Sequence, residues 1–270
     1  MSNCLIAYDN ATTDGLSFMP WPSVADPNLY FMGTPNINER WVTTGVASSQ
    51  TRFWWYFNGG ATTLAFLALC NHNLSLAATV RLTASNDGFA TTVYDSGFVA
   101  AYPAGTTSAS RGRLQWNFCH RLSTPTLAAQ WRVEISDAAN PNGYVAVGRL
   151  FGGRSLWQPT INMDAGSAIG FEGGADVQTA LNGTEWFTER QPFRVARFSL
   201  QAVSAEMLAS GFDLLATAAD SQRELFFQYD PADSVNAVRR SLFGRLRALS
   251  PIEEPYYGRM KTAFEIKELL

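Results

Sequence analysis

Lysine is almost missing from this sequence: Lys261 and Lys267, both near the C-terminus, are the only two. Positive charge is therefore nearly all arginine, whose planar guanidinium suits partly buried pairing across interfaces better than loose solvation. Charge of either sign is scarce, at 16% of residues with a net −3, and no Lys/Arg run stands out. That balance excludes electrostatic steering to nucleic acid, and no membrane insertion or anionic-lipid binding is expected. Histidine is limited to His72 and His120, and cysteine to Cys4, Cys70 and Cys119. Three thiols with no C-x-x-C spacing rule out a fully paired disulfide framework and read as reduced, mostly buried side chains. No apolar run reaches the roughly 18 residues that span a bilayer. The opening MSNCLIAYDN has neither a basic region nor a long apolar core, so no signal peptide is expected and the chain is made in a cytoplasm. Asn10-Ala-Thr, Asn73-Leu-Ser and Asn182-Gly-Thr match the glycosylation pattern, and without a secretory signal they read as chance.

What is present is apolar and β-forming. Hydrophobic residues make up 46% of 270, enough to bury a sizeable core in two domains. TRFWWYFN, TTLAFLAL, ATVRLTAS, TTVYDSGFVA, GRLQWNF, QWRVEIS and YVAVGRLF are short runs of β-branched and aromatic residues bounded by Gly, Asn, Asp or Pro. Alternation is clear in Trp131-Arg132-Val133-Glu134-Ile135, whose apolar side chains share one face. Such strands in succession imply a sandwich rather than βαβ units. After GRLFGGRSLWQP the composition changes. Residues 190–231 read strand, helix, strand, with the helix over Val203–Ala219, Ser204 as its N-cap, and Met207, Leu208, Leu214 and Leu215 at helical spacing. Two further strands are predicted near Leu242–Leu249 and Thr262–Leu269. The fold class is mainly β: a β-sandwich over residues 1–153 and a smaller α+β domain over 154–270.

No catalytic constellation emerges. Cys70, His72, Cys119 and His120 have the donor chemistry for zinc, yet adjacent Cys119 and His120 point to opposite faces of a strand. No G-x-S-x-G elbow accompanies either histidine. Asp164, Glu172, Asp176, Glu185 and Glu189 cluster after the boundary, and as loop acids they read as solvated rather than as a hydrolytic pair. Ser85-Asn86-Asp87-Gly88 offers oxygens to calcium, against the simpler reading of a turn with Gly88 at positive φ. Trp21, Trp54, Trp55, Trp116, Trp131, Trp157 and Trp186 offer sugar-stacking rings, with core packing the first explanation for each. No cofactor, no metal and no enzymatic turnover are expected.

The passage HNLS…ATVRL…SNDGF…VYDSG, closing with WRVEISDAANPNGYVAVGRLFGG, resembles the galactose-binding-like jelly roll of the discoidin type in the version carried by tailed-bacteriophage virion proteins. The likeness covers roughly Ala47 to Gly153. The second region resembles, more loosely, tail-tube and distal-tail proteins through its helix between strands and its final TAFEIKEL. The resemblance implies a jelly roll over 1–153 and a structural virion component over the whole chain. That component is a minor tail or baseplate protein of the phage tail, assembling with other tail proteins as a homo-oligomeric ring. The competing expectation is a carbohydrate-binding module contacting a host glycan, through loops such as Ser85–Phe89 and Tyr102–Arg111.

Overall fold

The computed structural model describes residues 2–14, 16–20, 28–108, 116–173, 176–188, 191–217, 223–249 and 251–270. Two compact units form: residues 1–158 with 224–243, and residues 159–223 with 244–270. The single cut expected at 153/154 thus gives way to a division after Gln158, with a later segment returned to the first unit.

The first unit opens with β1 (Leu5–Asn10) and β2 (Leu16–Pro20), followed by β3 (Trp41–Val42), β4 (Arg52–Phe57), β5 (Thr62–Cys70), β6 (Thr79–Ser85) and β7 (Tyr94–Ala100). It continues through β8 (Phe118–Ala128), β9 (Gln130–Ser136), β10 (Ala146–Val147) and β11 (Arg149–Trp157). Of the run GRLQWNF, residues 112–115 lie outside the described residues, and the strand itself begins only at Phe118. One sheet has the order β2-β4-β9-β6-β7, every pair antiparallel. In the other, β8, β5, β11 and β1 are successive antiparallel neighbours.

A single core lies between the sheets. Phe53, Trp55, Leu82, Trp131 and Val133 from the first meet Leu67, Leu69, Phe118 and Leu150 from the second. This is a mainly β sandwich, and the alternation of β4, β6 and β9 builds it: odd positions of β4 are buried and even positions are not. β5 is instead buried along its last seven residues, because its far side carries a second apolar layer in which Phe66 meets Phe151 and Phe226. Phe226 belongs to a late strand of this unit (Leu225–Gln228), which pairs antiparallel with Leu5–Ala7. That pairing is why residues 224–243 belong with the first unit.

Among its described residues the second unit contains β12 (Ala168–Glu172), β13 (Asp176–Thr179), β14 (Glu185–Thr188), β15 (Phe193–Ser204) and one helix, α1 (Ala205–Thr217). The helix begins directly after Ser204 and runs through Thr217, and the expected end at Ala219 lies outside the described residues. Continuing the count after Leu225–Gln228 (β16), Ser241–Leu249 (β17) crosses from one unit to the other, and Glu253–Tyr256 (β18) and Arg259–Glu268 (β19) complete the second. Antiparallel pairs β12–β15, β15–β19 and β17–β19 make its sheet, with Phe198 stacked on Phe264 at 5.2 Å and Leu200 buried. β13 and β14 form a separate two-stranded hairpin.

Candidate functional site

The outer face of the five-stranded sheet is set by the strand phase that the core does not use. Register aligns it in rows. Arg52, Glu134, Arg81 and Phe98 lie side by side across β4, β9, β6 and β7. In the next row Trp54 neighbours Arg132 and then Thr83, and in the third Ser17 and Tyr56 neighbour Gln130 and Ser85. Cross-strand neighbours on one face have Cβ atoms about 5 Å apart and interact directly. The face is thus a band of aromatics interleaved with arginines.

The charges are uneven. Glu134 is 7% exposed on a nominally outer face, because guanidiniums cover it. Arg52 Nε lies 3.4 Å from its carboxylate, and Arg81 Nη1 and Arg132 Nε each 3.7 Å. Arg81 also donates twice to Asp95, at 2.9 and 2.6 Å, and these bonds hold the Asp95 carboxyl down at about 2. Arg132 donates to Thr83 Oγ1 at 3.0 Å and stacks on the Phe89 ring, 4.5 Å from its centroid. Burial pushes the Arg132 guanidinium below its ordinary value. The Glu134 charge opposes this, while Arg81 and Arg52 add to it.

Phe89 is the unusual member. It sits at φ +66, where an L side chain costs roughly 1–2 kcal/mol. Its loop is held firmly: Ser85 Oγ accepts the Phe89 N–H at 2.9 Å, and Gln130 Oε1 accepts the Gly88 N–H at 2.8 Å. Asn86 Oδ1 accepts the Ala129 N–H at 2.8 Å. Asp87 accepts both the hydroxyl and the N–H of Thr91, at 2.6 and 2.9 Å, and with Ser85 these bonds lower its pKa to about 2. The result aims the Phe89 ring edge-on at Trp54, 6.2 Å away, with Tyr56 a further 6.1 Å along. Strain held by surrounding bonds is characteristic of binding and catalytic sites.

Ser85–Gly88 is thus a turn with Gly88 at φ +74, its side-chain oxygens taken by N–H and O–H groups of the loop and by the Ala129 N–H. The other loop expected to matter, Tyr102–Arg111, behaves differently. Tyr102 is buried, its hydroxyl donating to Leu74 O at 3.1 Å, and residues 109–111 lie outside the described residues.

The distinctive HNLS and DAANPNGY passages lock onto each other. Asn73 Nδ2 donates to Tyr144 O at 2.9 Å, and its Oδ1 accepts the Ala146 N–H at 2.7 Å. Asp137 accepts from the Ser75 N–H and hydroxyl, and from Asn140 Nδ2 at 2.8 Å. Gly148 lies in the same corner, where an added Cβ would sit 2.2 Å from Ile37 O. His72 accepts the Phe118 N–H at Nε2 (3.0 Å), whereas His120 Nε2 meets the Tyr94 hydroxyl at 2.7 Å and burial lowers its pKa. Burial also pushes the Cys4 and Cys119 thiols up to about 12.

The carboxylates read as a cluster are dispersed. Asp164 accepts from Ser199, and Glu172 is bound by Arg197 and Arg247 together with Glu265. Glu185 is exposed on the hairpin, the Asp176 side chain is not described, and Glu189 lies outside the described residues. Among the tryptophans, Trp55, Trp116, Trp131 and Trp157 are core, but Trp54 is half-buried and Trp186 is 67% exposed. Core packing therefore fails for these two, and Trp21 lies outside the described residues.

No family model matches this chain, and no curated protein matches it in sequence. Solved structures do. The family 32 carbohydrate-binding module of NanJ from Clostridium perfringens, in complex with galactose, is 15% identical. It spans 54% of this chain and 98% of that one at a TM-score of 0.37. The family 32 module of EndoD from Streptococcus pneumoniae is 13% identical over 54% and 100% of the two chains, TM-score 0.38. CBM32-3 of a family 31 glycoside hydrolase from C. perfringens is 18% identical over 54% and 94%, TM-score 0.38. At these identities the likeness is one of fold alone, and function rests on this chain's own residues.

Proposed function

We propose that this chain is a non-catalytic glycan-binding protein that holds a saccharide on the outer face of its five-stranded sheet. Trp54 and Tyr56 offer flat rings to the C–H face of a sugar, Phe89 walls one side, and Arg132 and Gln130 supply donors to hydroxyls. The observation that carries this reading is Phe89. A bulky residue is held at φ +66 by its loop's hydrogen bonds, and its ring joins an outer aromatic face the core does not need. A glycan array probed with the purified protein and with Trp54→Ala tests it. Retention by the parent, lost in the variant, supports the platform; retention by neither, or equally by both, overturns it.

A second reading follows the sequence passages: a tailed-phage minor tail or baseplate component, located in the virion and assembling with copies of itself and other tail proteins. The hairpin of β13 and β14 favours it. Residues 177–188 are exposed throughout, with Val177 and Phe187 paired across the strands and Leu181 and Trp186 nearby. A two-stranded hairpin is marginal alone in water and gains from a covering partner. The mass in solution, with and without Trp186→Ser/Phe187→Ser, tests this: a discrete oligomer that the double variant dissolves supports it, and a monomer in both cases counts against it.

A further inference from the structure

We propose that two copies of this chain join edge to edge through β14, so that two hairpins become one four-stranded sheet about a twofold axis. This rests only on the self-assembly in the second reading above, and the sugar platform does not enter it.

The hairpin lacks what would make it self-sufficient. β13 and β14 pair only with each other among the described residues, and residues 177–188 are exposed throughout. Neighbouring residues of a strand point to opposite faces. Phe187, paired with Val177, and Trp186, paired with Gln178, therefore lie on opposite sides of the ribbon. They are 63% and 67% exposed. A ribbon resting on its own unit would bury one of these sides, and this one buries neither. Two strands are marginal in water, and three or more are needed for stability. The outer edge of β14 is also unguarded: Glu185-Trp186-Phe187-Thr188 has no proline, no lysine and no bulge.

The hydrogen-bond phase shows which groups that edge offers. The Ala180 N–H donates to Thr184 O at 2.8 Å, so these two residues turn their backbone groups to each other. Alternation then turns the backbone of Trp186 and Thr188 inward to β13, and the N–H and C=O of Glu185 and Phe187 outward. An antiparallel copy of β14 centred on Trp186 sets Glu185 opposite Phe187 of the second copy, and Phe187 opposite its Glu185. Both become hydrogen-bonded pairs and exchange two bonds each, the most that any antiparallel register of this strand gives. The same register keeps the Glu185 carboxylates apart. It also brings the two Trp186 residues together as a non-hydrogen-bonded pair, where side chains approach most closely. The strand is thus self-complementary, and a second copy satisfies both edges at once. At their present exposure the four rings offer roughly 400–650 Å². That is short of the roughly 1,200 Å² at which standard interfaces begin, so the dimer is a reversible one.

Sedimentation equilibrium of the full chain over a concentration series is expected to show monomer and dimer exchanging. Glu185→Pro removes an outward N–H from each copy and no bond within the hairpin. It is expected to weaken dimerisation about tenfold or more, the worth of two hydrogen bonds. Thr179→Pro does the same on the outer edge of β13 and is expected to leave dimerisation unchanged. Thermal melting confirms that both variants are folded. Trp186→Cys sets two thiols at the axis, about 4.5 Å apart between Cα atoms, and mild oxidation is expected to link the dimer. Asn182→Cys, more than about 20 Å from its counterpart in this register, is expected not to link. A monomer at every concentration would overturn both the edge pairing and the self-assembly it rests on. A dimer that Glu185→Pro leaves intact, that both prolines weaken alike, or that links equally through residues 182 and 186 would overturn the edge pairing and leave self-assembly standing.

Discussion

Trp54 and Trp55 are adjacent in sequence and lie on opposite faces of one strand, so replacing each with alanine separates the platform from the core. Trp55 is fully buried, 5.9 Å from the Phe53 ring, and its cross-strand partner is the buried Trp131. Removing it leaves a large cavity between the sheets, at a cost of about 3–5 kcal/mol. Among the described residues Trp54 makes two ring contacts, at 6.1 and 6.2 Å, and borders solvent. Its loss should cost about 1–2 kcal/mol, the value of two tilted or edge-on aromatic pairs. For a unit of this size each kcal/mol shifts the melting temperature by about 2–4 °C, so Trp55→Ala should melt about 6–20 °C early and Trp54→Ala about 2–8 °C. Calorimetry measures both. Binding should follow the reverse order, with Trp54→Ala losing glycan retention while still folded. Equal melting shifts, or a larger one for Trp54, would refute the assignment of faces on which the site depends.

Three further outcomes are expected. Arg149 is 1% exposed and bound through three contacts of 2.8–3.1 Å to Glu224, so Glu224→Gln strands a buried cation and should cost about 3–5 kcal/mol in urea unfolding; replacing both residues with apolar ones should cost far less. Gly148→Ala should destabilise by about 1–3 kcal/mol or more, since its Cβ meets backbone at 2.2 Å from Ile37 O, whereas alanine at the open Gly59 position should change the melting temperature little. Burial depresses the His120 pKa below 6.5, so as pH falls the unfolded chain binds its proton first. Stability from neutral His120 is then fully present above about pH 6.5 and lost below it; His120→Gln should flatten the melting temperature between pH 7 and 5.

Much of the sandwich is legible in the sequence because alternation survives in it. QWRVEIS and ATVRLTAS carry polar and apolar residues in strict phase, and both become strands of the five-stranded sheet with the expected faces. The pairing of Leu225–Gln228 with Leu5–Ala7 leaves no such mark: a buried run reads the same whichever partner it finds, and more than 200 residues separate the two. The platform is hidden for a different reason. In Arg52–Phe57 the phases Phe53-Trp55-Phe57 and Arg52-Trp54-Tyr56 are both aromatic, so period two alone does not say which face is core. The signal lay in the polar members: Arg52 on one strand and Gln130, Arg132 and Glu134 on its neighbour share a phase, and that phase carries Trp54 and Tyr56 outward. Phe89 was not legible at all, since its backbone angle follows from the bonds of Phe89 to Ser85, Gly88 to Gln130 and Thr91 to Asp87, which only the folded loop assembles.

The central claim is that the outer sheet face receives the sugar, and the indole N–H resonances of the tryptophans test it directly during titration with a glycan the array retains. The account expects the Trp54 signal to shift saturably while the buried Trp55 and Trp131 and the exposed Trp186 of the hairpin stay in place. A saturable shift at Trp186 with Trp54 unmoved would put the ligand elsewhere and contradict the platform.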